Sequence, residues 1–365
     1  MKVGIITLHS ACNPGAMLQA YALQEFLKNK GFYVRIIDYR NTRIEYNYNV
    51  KKKLRNEKNT LKNLVYKGFW LINYKSIRNK EKRFKKFMHE KMLLTSKCDN
   101  TNIDTLKDAF DIYVSGSDQV WSFKDSIFDK NYFLNFVNNG KKVSYASSTG
   151  MDILEHKDEY YNFLKSFSMI SVRENFLVQR FEEMFNCFLD VHVDPTLLLG
   201  KDAWNQIKDD TKVPSEKYIL LYTVQQNQEI ISYAKAMRDK TGCQLIKLNE
   251  HPKDVFIKCK KIYDFDPCQF ISLIENATYV LTDSFHGTIF SILYNVPFVV
   301  ALSKTNKFIN ERIVTLLKKL DLESHIYDIN NSTQERENPF SLKVKRKIEI
   351  EINKTENYVD KWTDK

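Results

Sequence analysis

The hexapeptide Thr282-Asp283-Ser284-Phe285-His286-Gly287 lies between an apolar stretch of strand character, Thr278 to Leu281, and one of helical character, Thr288 to Tyr294. That spacing sets an imidazole at a strand-to-helix turn, beside backbone amides that have no partner inside the helix. Imidazole is the side chain that exchanges protons most readily near neutral pH, and a helix N-terminus attracts anions. The pair suits proton transfer on an anionic substrate, although a histidine at a helix start also serves as a cap or a packed side chain. Arg173 has a similar position, between the apolar Met169 to Val172 and a helical run, where a guanidinium can hold a carboxylate or phosphate through two parallel hydrogen bonds. Its plainer reading is a salt bridge to Glu174 or another acid. Arg312, at the start of a helix expected over Glu311 to Leu320, is a second candidate anion ligand.

Three further groups stand at expected strand ends. The loop His9-Ser10-Ala11-Cys12-Asn13-Pro14-Gly15 leads into a helix, and Asn13 and Gly15 allow backbone amides to approach a phosphate or a sugar, or simply make the turn. Asp118, in Gly116-Ser117-Asp118-Gln119, can orient a sugar hydroxyl or a histidine, or cap the next turn. Asp194 before Pro195 reads as a turn initiator. One glycine stands where a dinucleotide fingerprint needs three, the NTPase phosphate loop is absent, and Asp38 is weak support for a ribose contact. The six cysteines form no CxxC pair or zinc-like spacing, which implies reduced thiols and no metal.

The elements that must hold these groups read as alternating strand and helix. Lys2 to Leu8, Ala16 to Asn29 and Phe32 to Asp38 form a β-α-β unit, and strands follow at Phe110 to Ser115, Lys142 to Ala146 and Met169 to Val172. A second α/β unit starts at Tyr218 to Tyr222 and continues through a helix near Glu229 to Lys240, Gln244 to Leu248, Tyr279 to Leu281 and Phe298 to Leu302. Ligands of open parallel sheets lie beyond the carboxyl ends of the strands, where the polar residues collect. The expected fold class is therefore α/β, with two Rossmann-like domains facing a cleft: residues 1–200 with a basic helical insertion at about 45–97, residues 201–335, and a charged tail over 336–365. The tail reads as a helix returning to the first domain, or as a strand where Ile348 to Ile352 alternates with glutamates.

The chain has 365 residues and a net charge of +11, but its basicity is local: fifteen Lys or Arg and three Glu lie between Lys51 and Lys91, leaving −1 for all the rest. Apolar residues interleaved there, such as Leu64, Phe69, Trp70 and Phe84, fit helices with one apolar and one cationic side. The readings are a solvated face over a packed helical subdomain, or a patch resting on anionic lipid; no nucleic-acid motif accompanies the charge. A first strand at Lys2 to Leu8, too short for a secretory apolar core, and no run of about 20 apolar residues point to a cytoplasmic protein, with peripheral contact at the inner membrane face in the lipid reading.

Six blocks in order now carry a resemblance: Gly4 to Thr7, Asn13 to Leu23, Gly116 to Trp121, Ser171 to Glu174, Asp194 to Thr196 and Asp283 to Gly287. As a set, from residue 3 to about 320, they resemble the polysaccharide pyruvyl transferase family. The resemblance implies a GT-B-like fold and transfer of a pyruvyl group from phosphoenolpyruvate to two hydroxyls of a sugar, in a surface polysaccharide or its lipid-linked precursor, giving a pyruvate ketal. It implies His286 as general acid; Arg173, Ser284, Gly287, Thr288 and Arg312 around the donor; and His9, Asn13, Gly15 and Asp118 on the acceptor side. Phosphoenolpyruvate enters as substrate and neither metal nor cofactor is required. Many members have an arginine where this chain has Ser284, so the donor's cation is expected from Lys304, Lys307 or Arg312. The alternatives are a nucleotide-sugar glycosyltransferase of the same shape and a non-catalytic carbohydrate-binding member.

Overall fold

The computed structural model describes residues 1–48, 61–185, 189–328 and 338–364. The first β-α-β unit consists of β1 (Lys2–Ile6), α1 (Pro14–Asn29) and β2 (Tyr33–Ile36). Helices α2 (Thr42–Tyr48), α3 (Leu61–Ile72) and α4 (Tyr74–Lys91) precede β3 (Ile112–Ser115) and β4 (Lys141–Ser144). The four strands form a parallel sheet in the order β2-β1-β3-β4, with Val3 opposite both Val34 and Ile112. After α5 (Lys157–Leu164), the short pair β5 (Ser171–Val172) and β6 (Asp190–Val191) flanks α6 (Asn175–Phe185). Isolated bridges Val143 to Met169 and Ser147 to Val172 attach this pair to the β4 edge.

Past α7 (Lys201–Asn205), a second parallel sheet is built from β7 (Tyr218–Tyr222), β8 (Gln244–Leu248), β9 (Lys260–Ile262), β10 (Tyr279–Thr282) and β11 (Phe298–Val300), in the order β11-β10-β7-β8-β9. Its helices are α8 (Gln228–Thr241), α9 (Pro267–Glu275), α10 (Phe285–Leu293) and α11 (Lys307–Leu320), and α12 (Leu342–Asp360) ends the chain. All five residues of β7 are buried, as expected for a central strand covered by helices on both faces.

Caps explain where the helices begin. Ser284 accepts from the Gly287 amide, so α10 starts at Phe285 and places His286 and Gly287 in its first turn, not ahead of it. Asn306 caps α11, which therefore starts at Lys307 and carries Arg312 in its second turn. A reciprocal Asp266 and Gln269 capping box starts α9, and β9 is an edge strand of two exposed lysines and one half-buried isoleucine.

The tail is helical through Ile348 and Ile352 and packs on the first sheet. The Tyr358 hydroxyl donates to the Ser144 carbonyl at 2.8 Å, and the buried Trp362 meets Phe32 with ring centroids 6.5 Å apart. Helix α4 spans the two halves of the molecule. Lys80, almost wholly buried, pairs with Glu250 at 2.9 Å, Arg83 pairs with Asp264 at 2.8 Å, and Phe84 packs edge-on to Phe265. A chain of rings from Tyr21 on α1 through Trp204 to Phe290 on α10 joins the cores. None of the described cysteines forms a disulfide, Cys187 lies outside the described residues, and no described helix is long and apolar enough to cross a membrane.

Candidate active site between the two sheets

A cavity of about 270 Å³ opens where the carboxyl ends of the two sheets face each other. The first sheet contributes Asn13 and Ala16 after β1, and Asp118 and Gln119 after β3. The second contributes Val224 and Gln225 after β7, Asp283 to His286 after β10, and Ile309 and Arg312 one turn apart on α11. Topology thus converts a scattered set of residues into one wall-to-wall site, at the strand ends where parallel sheets bind ligands.

His286 meets the opposite domain directly. A Cβ built on Gly15 would lie 2.1 Å from its Nδ1, so the first turn of α1 can approach the imidazole only because position 15 has no side chain. On the other side of the ring, Nε2 is 3.4 Å from Oδ2 of Asp194. Asp194 is buried and also takes the Thr196 amide at 2.9 Å, the Thr196 hydroxyl at 2.6 Å and Nη2 of Arg173 at 3.0 Å. Burial alone would raise its pKa, but the Arg173 guanidinium and His286 outweigh burial and hold the carboxyl well below the usual range. The Asp-Pro pair does begin a turn, over Pro195–Leu197, yet its carboxylate also links an arginine to the imidazole.

Arg173 also donates to the Ser117 hydroxyl, and its partner acid is Asp194, not the adjacent Glu174, which receives the Ser148 hydroxyl. Arg173 lies behind the open cavity, beneath Phe285: its guanidinium stands 5.1 Å from the Phe285 ring and that of Arg312 stands 5.4 Å from the same ring. Burial lowers the Arg312 pKa and Arg173 pushes in the same direction, while Asp118, Glu174 and Asp194 oppose them. The Asp118 carboxylate, 3.8 Å away across the cleft, is a loose partner. Nε of Arg312 and Nε and Nη1 of Arg173 are buried with no hydrogen-bond partner among the described residues. A site with one buried and one half-buried guanidinium and unfilled donors is built to receive negative charge.

Of the cations expected to stand in for an arginine at position 284, Arg312 lines the cavity, whereas Lys304 is exposed and pairs with Glu229 at 2.6 Å. Exposed Lys307 instead stands over the Phe308 ring. Ser284 lines the cavity but its hydroxyl is engaged as the α10 cap. Gly287 and Thr288 are buried below it: a Cβ at Gly287 would meet the Thr282 hydroxyl at 2.7 Å, and the Thr288 hydroxyl donates to the Ser284 carbonyl at 3.0 Å. His9 turns away from the cavity. Its Nδ1 faces the Thr7 carbonyl at 3.1 Å and its Nε2 faces Asp38 at 2.9 Å, so both ring nitrogens are committed inside the first domain. Asp118 lines the cavity with a left-handed φ of 78°, uncommon for a residue with a side chain, and its Oδ1 accepts from the Gln119 amide at 2.9 Å. Asp283 was not anticipated; it accepts from the amides of Val224, Gln225 and Asn227 and so fixes the loop after β7. Among the described residues no group of three His, Cys, Asp or Glu is placed to hold a metal ion.

Comparison with solved structures places the fold. A putative UDP-N-acetylglucosamine 2-epimerase from Listeria monocytogenes superimposes over 100% of this chain and 96% of its own, with a TM-score of 0.52 at 11% identity. The S. aureus MnaA–UDP co-structure covers 98% of this chain and 97% of its own, with a TM-score of 0.48 at 13% identity. The protein has the GT-B-like arrangement of two Rossmann-like domains about a cleft. No curated protein matches the chain as a relative. Residues 13–303 match the polysaccharide pyruvyl transferase family over a span that takes in Asn13, Asp118 and His286 of the cavity but ends before Ile309 and Arg312, and the chain belongs to that family of transferases.

Proposed function

We propose that the cavity binds phosphoenolpyruvate and transfers its pyruvyl group to two hydroxyls of a saccharide, part of a surface polysaccharide or of its lipid-linked precursor. The observation that carries this reading is the half-buried, incompletely partnered Arg312 lining the same cavity as His286. Phosphoenolpyruvate offers a carboxylate and a phosphate to Arg312 and to the first-turn amides of α10. The first sugar hydroxyl adds to C2 of the enol while C3 takes a proton from His286, turning methylene into methyl. The proton lost by that hydroxyl restores the imidazole. The second hydroxyl then attacks C2, the bond from C2 to the phosphate oxygen breaks, and the remaining proton leaves on hydrogen phosphate. Asp118 and Asn13, on the opposite wall, accept from and orient the sugar hydroxyls. Asp194 holds the His286 ring, and Arg173 balances the charge of Asp194.

Calorimetric titration of phosphoenolpyruvate tests the donor site. Arg312→Gln should weaken binding at least tenfold, about 1.4 kcal/mol. His286→Asn should leave donor affinity within a few-fold and abolish phosphate release in the presence of saccharide acceptors. Absence of phosphoenolpyruvate binding with or without acceptor, together with thermal stabilisation by a nucleoside diphosphate, would replace this reading by a nucleotide-sugar glycosyltransferase.

A further inference from the structure

Helix α3 carries apolar side chains on two faces. Phe69 and Trp70 point inward and pack with Ile77 and Tyr263. Leu64, Val65, Leu71 and Ile72 recur at helical spacing with Gly68 between them, form a single stripe, and are 58%, 50%, 64% and 84% exposed. The turn Pro252–Phe256 of the second domain packs against this helix and carries Phe256, 74% exposed. Nothing among the described residues covers the stripe. Isolated exposed apolar residues are ordinary, but four on one helix face, with a fifth on the turn packed against that helix, call for an occupant.

The charge around the patch selects that occupant. Exposed Lys75, in the first turn of α4, follows Ile72 by three residues, and exposed Lys253 and Lys258 flank Phe256. Residues 64–91, from the stripe to the end of α4, carry nine Lys or Arg and two Glu, a net +7. A second copy docked by the same face would bring two such segments together, which repulsion disfavours. An aqueous polyanion would meet the charge but leave the apolar stripe in water. A bilayer with anionic headgroups satisfies both, because apolar side chains enter the headgroup and acyl boundary while lysines stay at its surface. We propose that α3 and the Phe256 turn form a membrane-docking face that rests the protein on anionic lipid. This inference rests on the surface alone and is independent of the donor assigned to the cleft.

The experiment is co-sedimentation of the full chain with vesicles of phosphatidylcholine containing one quarter phosphatidylglycerol, against pure phosphatidylcholine vesicles. The wild type should partition at least tenfold more onto the anionic vesicles. Leu71→Asp with Ile72→Asp should lose that partition at least tenfold while phosphoenolpyruvate binding and thermal midpoint stay unchanged, because both side chains are already in solvent. Phe256→Ser gives a second, independent reduction should the double variant fold poorly. Ile350→Asp, an equally exposed residue on α12, should have no effect. No sedimentation of the wild type, equal loss with Ile350→Asp, or a wild-type dimer by light scattering that Leu71→Asp with Ile72→Asp converts to a monomer would each overturn the proposal, the last in favour of a homotypic interface.

Discussion

Gly15 and Asp194 flank His286 from opposite sides, one by lacking a side chain and the other by supplying a charge. Gly15→Ala places a methyl group in the volume of the imidazole. It should destabilise the protein by about 1–3 kcal/mol and abolish turnover, and the same change on a His286→Ala background should cost far less stability because the obstructing ring is gone. Thermal unfolding of the single and double variants measures this. Asp194→Asn keeps the shape but removes the charge facing Arg173, which should cost about 3–5 kcal/mol and a large part of turnover. Since the Asp194 pKa is held below the ordinary aspartate value of 3.8, its stabilisation is present above that pH and lost as pH falls below it. Acid unfolding should therefore begin at higher pH in Asp194→Asn. That His286, Asn13 and Asp118 line one cavity was legible because each stands at a strand end or a helix start, positions that topology sends to the cleft, whereas Arg312 reaches it from the second turn of a helix that begins four residues before the expected start. Asp194 and Asp283 were harder to recognise. The neighbours of Asp194 explain a turn and those of Asp283 suggest no role for it, and only folding reveals that the carboxylate of one reaches Arg173 and that of the other reaches the amides after β7. His9 misleads for the converse reason: its partner Asp38 lies at the end of the adjacent strand and draws the ring inward.

Strands with continuous apolar runs were legible, whereas α9 went unread despite its Asp266 and Gln269 capping box, and other shortfalls were at elements whose signal is weak or displaced. β9 has no buried face to announce it, and α10 and α11 begin three or four residues earlier than hydrophobic periodicity alone indicates, because Ser284 and Asn306 set their starts. The tail helix α12 has a liability that sequence conceals. His192, just after β6, is buried against the Tyr358 ring, centroids 4.5 Å apart, with its Nδ1 beside the Ser171 hydroxyl at 2.8 Å. Burial pushes its pKa down to about 3, and Lys354 and Lys319 push the same way. The folded protein therefore keeps this ring neutral at pH values where the unfolded chain protonates it. The associated stability is complete above pH 6.5 and is lost progressively as pH falls from 6.5 towards 3. Between pH 6.5 and 5 the loss should reach about 2 kcal/mol from this group. Urea unfolding at the two pH values measures it, and His192→Gln should flatten the difference; an unchanged slope would refute the assignment.

The two sheets bring their strand ends together, yet the molecule is joined by more than the cleft. One cluster of buried residues runs from Val3 and Leu23 through Trp204 to Phe290 and Val300 and takes in Val359 and Trp362 of the tail. Helix α4, inserted within the first domain, ties itself to the second through Lys80, Arg83 and Phe84. Much of the basic segment's charge near this seam is thus structural, and the cationic character left for a partner belongs to its exposed lysines. Separate domains with a thin seam would unfold in two steps, whereas a shared core predicts one. Differential scanning calorimetry should show a single transition whose calorimetric and van't Hoff enthalpies agree. Lys80→Ala then probes the seam: it removes the buried ammonium that pairs with Glu250 and stands 4.7 Å over the Phe265 ring, at a cost of about 3–5 kcal/mol. If α4 is what makes the halves cooperate, this variant should split the transition and weaken phosphoenolpyruvate binding, because Asn13 and Gly15 would no longer be held against Ser284 and His286. A variant that unfolds earlier but still in one step would assign the cooperativity to the Tyr21, Trp204 and Phe290 rings instead, and Trp204→Ala would then be the change that separates the two halves.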